Sequence, residues 1–133
     1  MEHWKPNTIP IDKTNEFLKN IDEIACGPGW NKALLNFFEQ VKVLNDSLKG
    51  HIIHAVQIKE KWGRLRVYAL VEPKPDIESN EDPQKIIAEF QELLKHCKKE
   101  TDSTCERCGC SDKPLYTTQG WIKYVCEECL HKI

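Results

Sequence analysis

The residues with the clearest chemistry lie near the C-terminus: Cys105 and Cys108, followed at once by Gly109, then Cys126 and Cys129 after a spacer of seventeen residues. Two Cys-x-x-Cys turns at that separation can bring four thiolates around one tetrahedral ion, and an all-sulfur donor set favours Zn2+. Gly109 sharpens this reading, because a glycine after the second cysteine lets the backbone turn back and aim its amides at the sulfurs. Four protein ligands leave no position for water or substrate, so the expected ion is one structural zinc. The competing use of Cys-x-x-Cys is dithiol redox chemistry. That chemistry wants one pair at a strand-to-helix junction of a βαβ unit, and this chain has two pairs and no such unit.

Two neighbours are alternative ligands. Cys110 could replace Cys108, and His131 could replace Cys129, although the Cys-x-x-Cys bite favours the four paired cysteines. Between the pairs, Leu115 to Thr118 and Trp121 to Val125 flank Gln119-Gly120 and predict a small hairpin. The second pair runs into Glu127, Glu128, Leu130 and His131 as a short helix would. Knuckle, hairpin and ligand-bearing helix is treble-clef order, whereas two equivalent knuckles would make a zinc ribbon; the first is preferred and both stay open. Cys26 and Cys97 fall on apolar helical stripes, where a free cysteine acts as a small hydrophobe. Seven cysteines in all leave at least one thiol free.

The elements that must position this finger can be read from periodicity. Phe17, Leu18, Ile21, Ile24 and Ala25 recur at helical steps and predict a helix from Asp12 to Cys26, ended by Gly27. After the turn Gly27-Pro28-Gly29, a second helix carries Trp30, Leu34, Phe37, Phe38, Val41, Leu44 and Leu48 and stops at Gly50. The period then changes to two. Val56 and Ile58 alternate with charged residues, as do Leu65, Val67, Ala69 and Val71, predicting a β-hairpin that turns at Trp62-Gly63. Glu72 to Asp82 holds two prolines and five acidic residues and reads as a solvated loop. Asp82-Pro83 opens a helix whose face of Ile86, Ile87, Phe90, Leu93, Leu94 and Cys97 covers the hairpin. The fold class is therefore α+β: a helical hairpin, a two-stranded antiparallel β-hairpin and a covering helix over residues 1–97, a polar hinge at 98–104, and a four-cysteine finger at 105–133.

A second candidate site is the exposed face of the hairpin. Lys59, Lys61, Arg64 and Arg66 lie beside Tyr68 and Trp62, a set able to hold phosphates while a ring stacks on a base. The same residues also make an ordinary solvated strand that resists edge-to-edge pairing. On the finger, Trp121 and Tyr124 suit protein contacts, or else form its small core. With 30% charged residues and a net charge of −2, the chain has no global cationic field to drive nonspecific nucleic-acid binding. It also has no Gly-rich phosphate loop, no serine-histidine-acid context and no His-Glu metal motif. His51 and His54 lack a sequence neighbour that would make them catalytic. Residues 1–10 are polar without a signal region, and no apolar run approaches the ~20 residues of a membrane span, so a cytoplasmic protein is expected.

Three segments together carry a resemblance: Gly27-Pro28-Gly29-Trp30, the run Gln57-Ile58-Lys59-Glu60-Lys61-Trp62-Gly63-Arg64-Leu65-Arg66-Val67-Tyr68, and Gly120-Trp121-Ile122 before Cys126-Glu127-Glu128-Cys129. From about Gly27 onward the chain resembles a family of small uncharacterised proteins of bacteriophages and bacterial mobile elements. Members commonly carry a second glycine where this chain has Arg64, and an aromatic residue near Val67. The resemblance implies a cytoplasmic, phage-type protein and carries no residue roles. The resulting expectation is a noncatalytic, zinc-stabilised module whose partner is a protein, such as a phage-encoded inhibitor or modulator of a host defence protein. The alternative is nucleic-acid or nucleotide binding through the basic hairpin face.

Overall fold

The computed structural model describes residues 4–132, in the order β1 (Ile24–Ala25), α1 (Asn31–Ser47), β2 (His51–Lys61), β3 (Arg64–Pro73), α2 (Pro83–Asp102), β4 (Leu115–Thr117), β5 (Tyr124–Cys126) and α3 (Glu127–Leu130). The fold is mixed α+β with two separate sheets, one ordered β1-β2-β3 and the other β4-β5. α1 and α2 lie on one face of the larger sheet. Between them and the sheet sit Leu34, Phe37, Phe38 and Val41 of α1, Ile53, Ala55 and Ile58 of β2, Leu65 of β3, and Ile86, Phe90 and Leu94 of α2. Phe17, Phe37, Phe38 and Phe90 meet at its centre, with ring centroids 5.7 to 6.1 Å apart. Each such ring contributes about 1.5–3 kcal/mol on burial. Asn45 clamps α1 to β2 through both ends of its amide, accepting from the Ile53 amide and donating to the Ile53 carbonyl.

The helical hairpin expected at the N-terminal end is not formed. Asp12 accepts a hydrogen bond from the Thr14 amide and Asn15 accepts one from the Phe17 amide, so short polar side chains repeatedly take up backbone donors that a helix would need. Only a single 3-10 turn, Glu16–Leu18, results. Phe17, Leu18, Ile21 and Ile24 are nevertheless all buried, as the periodicity required. Ile24 and Ala25 then pair in parallel with Ile58 and Lys59, giving the hairpin a third strand. The first true helix follows a 3-10 turn at Pro28–Trp30 and begins at Asn31.

The hairpin is as expected except at one residue. A bulge between Ala55 and Gln57 turns Val56 outward, where it is 53% exposed, so Ala55 and not Val56 shares the buried face with Ile58. Trp62 (φ 57°) and Gly63 (φ 78°) both adopt left-handed backbone, the two-residue turn that matches the twist of the strands. The covering helix α2 also extends further than expected. Residues 98–102, predicted as a hinge, complete it, because the Thr101 and Thr104 hydroxyls donate to the Lys98 and Glu100 carbonyls and Thr101 packs into the interior.

The acidic loop before α2 is pinned by Glu81. Its carboxylate accepts from the amides of Lys49 and Gly50 and pairs with His51 Nδ1 at 3.0 Å. The His51 contact and these amides bring the Glu81 carboxyl from 4.5 down to about 2. A depressed carboxyl stabilises the fold above its unfolded value and stops doing so as pH falls through the folded one. Acid unfolding of the wild type should therefore steepen between pH 4.5 and about 2. Glu81→Gln is expected to flatten that limb in a pH series of thermal melts, and an unaltered limb would show that Glu81 does not hold the loop.

Candidate metal centre

The finger is placed by the turn that precedes α1. Gly27 and Gly29 lie so close to the backbone of Cys105 and Glu106 that a Cβ at either position would collide with a carbonyl oxygen there. The Gly29 amide donates to the Glu106 carbonyl at 2.8 Å, and Trp30 Nε1 donates to the Thr104 carbonyl at 3.1 Å. Gly-Pro-Gly-Trp is thus a cradle for the first cysteine turn.

In that turn, the Cys108 amide points at Cys105 Sγ (3.5 Å) and the Gly109 amide closes on the Cys105 carbonyl (2.9 Å). Gly109 has φ 85°, the left-handed conformation expected of it. β4 and β5 form the small hairpin, with Leu115 opposite Cys126 and Thr117 opposite Tyr124. Cys126 ends β5, and Cys129 lies in α3, so the second pair straddles a strand-to-helix junction.

The sulfurs of Cys105, Cys108, Cys126 and Cys129 all lie within 4.8 Å of one another, and Cys108 and Cys126 are 3.7 Å apart. Four thiolates at ~2.3 Å from a tetrahedral ion are separated by ~3.8 Å, so the set needs only slight contraction to close. No disulfide forms among the described residues. Burial pushes the Cys105 thiol up and Cys129 up to about 12, whereas Cys126, despite burial, is drawn down to about 6 by the Cys129 amide and neighbouring thiols. A divalent cation overrides this ordering, because coordination deprotonates a thiol outright. Arg107 Nη1 reaches Cys129 Sγ at 3.9 Å and adds a donor to the sulfur cage. Cys110 is a fifth thiol at its edge, in hydrogen-bond contact with Cys108 and Cys126 and pushed up to about 12, first by burial and then by those contacts. His131 is exposed at the end of α3, away from the sulfur cluster. Cys26 and Cys97 are buried in the main core, each held near 12 by burial.

A cluster not anticipated from sequence joins the finger to the sheet. The Lys123 ammonium bonds Glu60 Oε1 at 2.5 Å and Glu106 Oε2 at 3.1 Å, and the three side chains are only 4%, 8% and 0% exposed. Glu106 Oε2 also accepts from the Gly27 amide at 2.8 Å, and Glu60 accepts from the Gly63 amide at 2.7 Å. Lys123 further lies 4.7 Å from the Trp4 ring and 4.4 Å from the Trp121 ring, which meet edge to face. The signals were present: Lys123, just before β5, lies two residues from buried Val125, and Glu60 shares the inward phase of β2 with Ile58.

The predicted surface residues divide accordingly. Trp121 is 38% exposed but its ring is engaged with Trp4 and Lys123. Tyr124 lies over Gly63, and Arg64 stacks on the Tyr124 ring while pairing with Asp102 at 2.9 Å. Arg64 is therefore committed within the chain. Trp62, 60% exposed, stands at the hairpin tip, and Lys59, Lys61, Arg66 and Tyr68 share the sheet face opposite the helices. Comparison of the chain with protein-family models, curated proteins and solved structures gives no match. Among the described residues no helix is long and apolar enough to cross a membrane.

Removing the Lys123 ammonium while leaving two buried carboxylates is costly, about 3–5 kcal/mol by analogy with other broken buried pairs. Lys123→Met is expected to lower stability by that amount in denaturant unfolding, and adding Glu60→Gln with Glu106→Gln should recover most of it. A single-variant loss below about 1 kcal/mol would place the triad outside the stabilising interactions.

Proposed function

We propose that the chain is a noncatalytic protein-binding module in which one Zn2+, held by Cys105, Cys108, Cys126 and Cys129, locks a treble-clef finger onto an α+β lobe. The closed four-sulfur set carries this reading. Its first pair sits in a turn and its second at a strand-to-helix junction, the treble-clef arrangement, and it offers no open coordination site. Zinc supplies the charge that lets the buried thiolates coexist. The residues around it set its geometry, through the amides at Cys108 and Gly109 and the guanidinium of Arg107.

The binding surface is assigned to the open sheet face and the hairpin tip. Trp62 holds a large apolar ring in solvent while its backbone occupies the left-handed region, a conformation that costs a non-glycine residue roughly 1–2 kcal/mol. Exposure and local strain at one residue support a role in recognition. Lys59, Lys61, Arg66 and Tyr68 give the adjoining face its cations and a second ring. The likeness to phage and mobile-element proteins supports a host protein as the partner and a role as its modulator. Nucleic-acid or nucleotide binding is the weaker reading, because Arg64 is held by Asp102 and Tyr124 and the chain as a whole is acidic.

Purified protein is expected to carry one zinc per chain by elemental analysis. Strong chelation should unfold the finger, and a metal-free protein that keeps its fold in chelator would refute the structural role. Trp62→Asn relieves the positive φ and removes the ring, so its two effects should have opposite signs. Stability is expected to rise by about 1 kcal/mol while affinity for the captured partner falls by tenfold or more. Capture from bacterial lysate with and without nuclease separates the readings: nuclease-sensitive capture, or retention on heparin that collapses with salt, would favour nucleic acid instead.

A further inference from the structure

β3 is an edge strand of ten residues, Arg64 to Pro73, with β2 on one side and no strand on the other among the described residues. Long uncovered edges are usually blunted by charge, bulges or proline along their length. β3 has its bulge on the partner strand and its proline only at the last position. A groove of about 700 Å³ runs along this edge, with Val67, Leu70 and Val71 on one wall and Ile87 and Phe90 of α2 on the other.

The charge on this hairpin is polarised. At the tip, Lys61 stands opposite Arg64 and Lys59 opposite Arg66 across the strands; Arg64 is held by Asp102, and the other three cations gather on the open face. At the opposite end lie Glu72 and the acidic loop with Asp76, Glu78, Glu81 and Asp82. The middle of the edge strand is exposed, with Tyr68 at 48% and Leu70 at 49%, and Val56 of the neighbouring β2 is 53% exposed across from them. A strand with cations at one end, acids at the other and apolar residues between is complementary to itself in the antiparallel sense.

We propose that two copies of this chain pair antiparallel through β3, on a two-fold axis at Tyr68, to make one continuous six-stranded sheet. In that register Tyr68 faces its symmetry mate, and Arg64, held by Asp102 and Tyr124 of its own chain, takes no part in the charge pairing. Glu72 of the second copy lies diagonal to Arg66, whose Nε is buried without a hydrogen-bond partner in the single chain. On the helix side, Leu65 meets Val71 and Val67 meets Ala69, extending the apolar layer beneath the sheet. A parallel arrangement would place cations against cations. The metal plays no part in this pairing, which leaves the open sheet face of each copy free and duplicates it. The proposal therefore goes beyond the single-chain reading and stands or falls separately from it.

The test uses the full zinc-loaded chain in sedimentation velocity over a wide concentration range. The wild type is expected to show a monomer–dimer equilibrium that weakens with salt. Leu70→Lys and Glu72→Arg, at exposed positions, and Arg66→Glu, at a half-buried one, should each weaken dimerisation by roughly tenfold or more, since every change is counted twice across the axis. An equimolar mixture of Glu72→Arg and Arg66→Glu chains should recover dimer that neither forms alone. Thermal melts of each variant check that the fold is intact, and a variant that fails this check leaves the other two to decide. A wild type that is monomeric at every concentration overturns the proposal. So does a dimer that folded variants leave unchanged.

Discussion

The Lys123 ammonium, buried between Glu60 and Glu106, ties together parts of the chain that share little else. Glu60 belongs to the hairpin, Glu106 to the first cysteine turn, Lys123 to the segment just before β5, and the Trp4 and Trp121 rings close over the ammonium. Each carboxylate is also anchored to a backbone amide, Glu60 to Gly63 and Glu106 to Gly27. The bonds are directional and almost dry, so they tolerate one placement of the finger on the lobe. An apolar patch of similar area would allow many. Buried ion pairs are weak evidence for added stability compared with hydrophobic packing, and their attested use is to specify arrangement.

That constraint explains the glycines and bears on the four-cysteine cluster as well. For Glu106 to reach the Gly27 amide, the cysteine turn must lie against the Gly27-Pro28-Gly29 backbone, which requires that neither glycine carry a side chain. The finger's own core consists of Cys105, Val125, Cys126 and Cys129 with a few half-buried neighbours, too little apolar surface to fold unaided. The first cysteine turn, whose loop also supplies a buried carboxylate, would therefore rest on two supports at once if an ion is held by the four sulfurs. Loss of such an ion would then withdraw Glu106 from Lys123 and, through Glu60, loosen the hairpin turn at Gly63.

Much of this was legible in the sequence where one period or one spacing dominated. The cysteine spacing and Gly109 gave the sulfur cluster, and alternation gave the hairpin and its turn. Asp82-Pro83 gave the start of α2. The expected first helix failed because Asp12 and Asn15 divert backbone donors locally, while a helical spacing of apolar residues is equally compatible with a 3-10 turn and a short parallel strand. Val56 was misplaced because a bulge changes phase without changing composition. The triad escaped because a buried lysine or glutamate has no compositional mark, although Glu60 occupies an inward phase of β2 and Lys123 lies two residues before buried Val125. Phase outranks residue type in a strand with one buried face.

With the four sulfurs clustered and the triad enclosed, the side chains left in solvent on the sheet lie on the side that no helix among the described residues covers. There the arrangement is uneven in a way a merely solvated face would not need. Cations cluster at the tip around an exposed Trp62 whose backbone is strained, apolar side chains occupy the middle, and acids gather at the base. Arg64 marks the boundary of this surface, because Asp102 and Tyr124 bind it to the scaffold and so hold the finger against the turn that presents Trp62. The finger and the hairpin tip meet at two adjacent residues, Gly63 beneath Tyr124 and Trp62 in solvent. A change in how the finger docks must therefore alter how the tip is displayed.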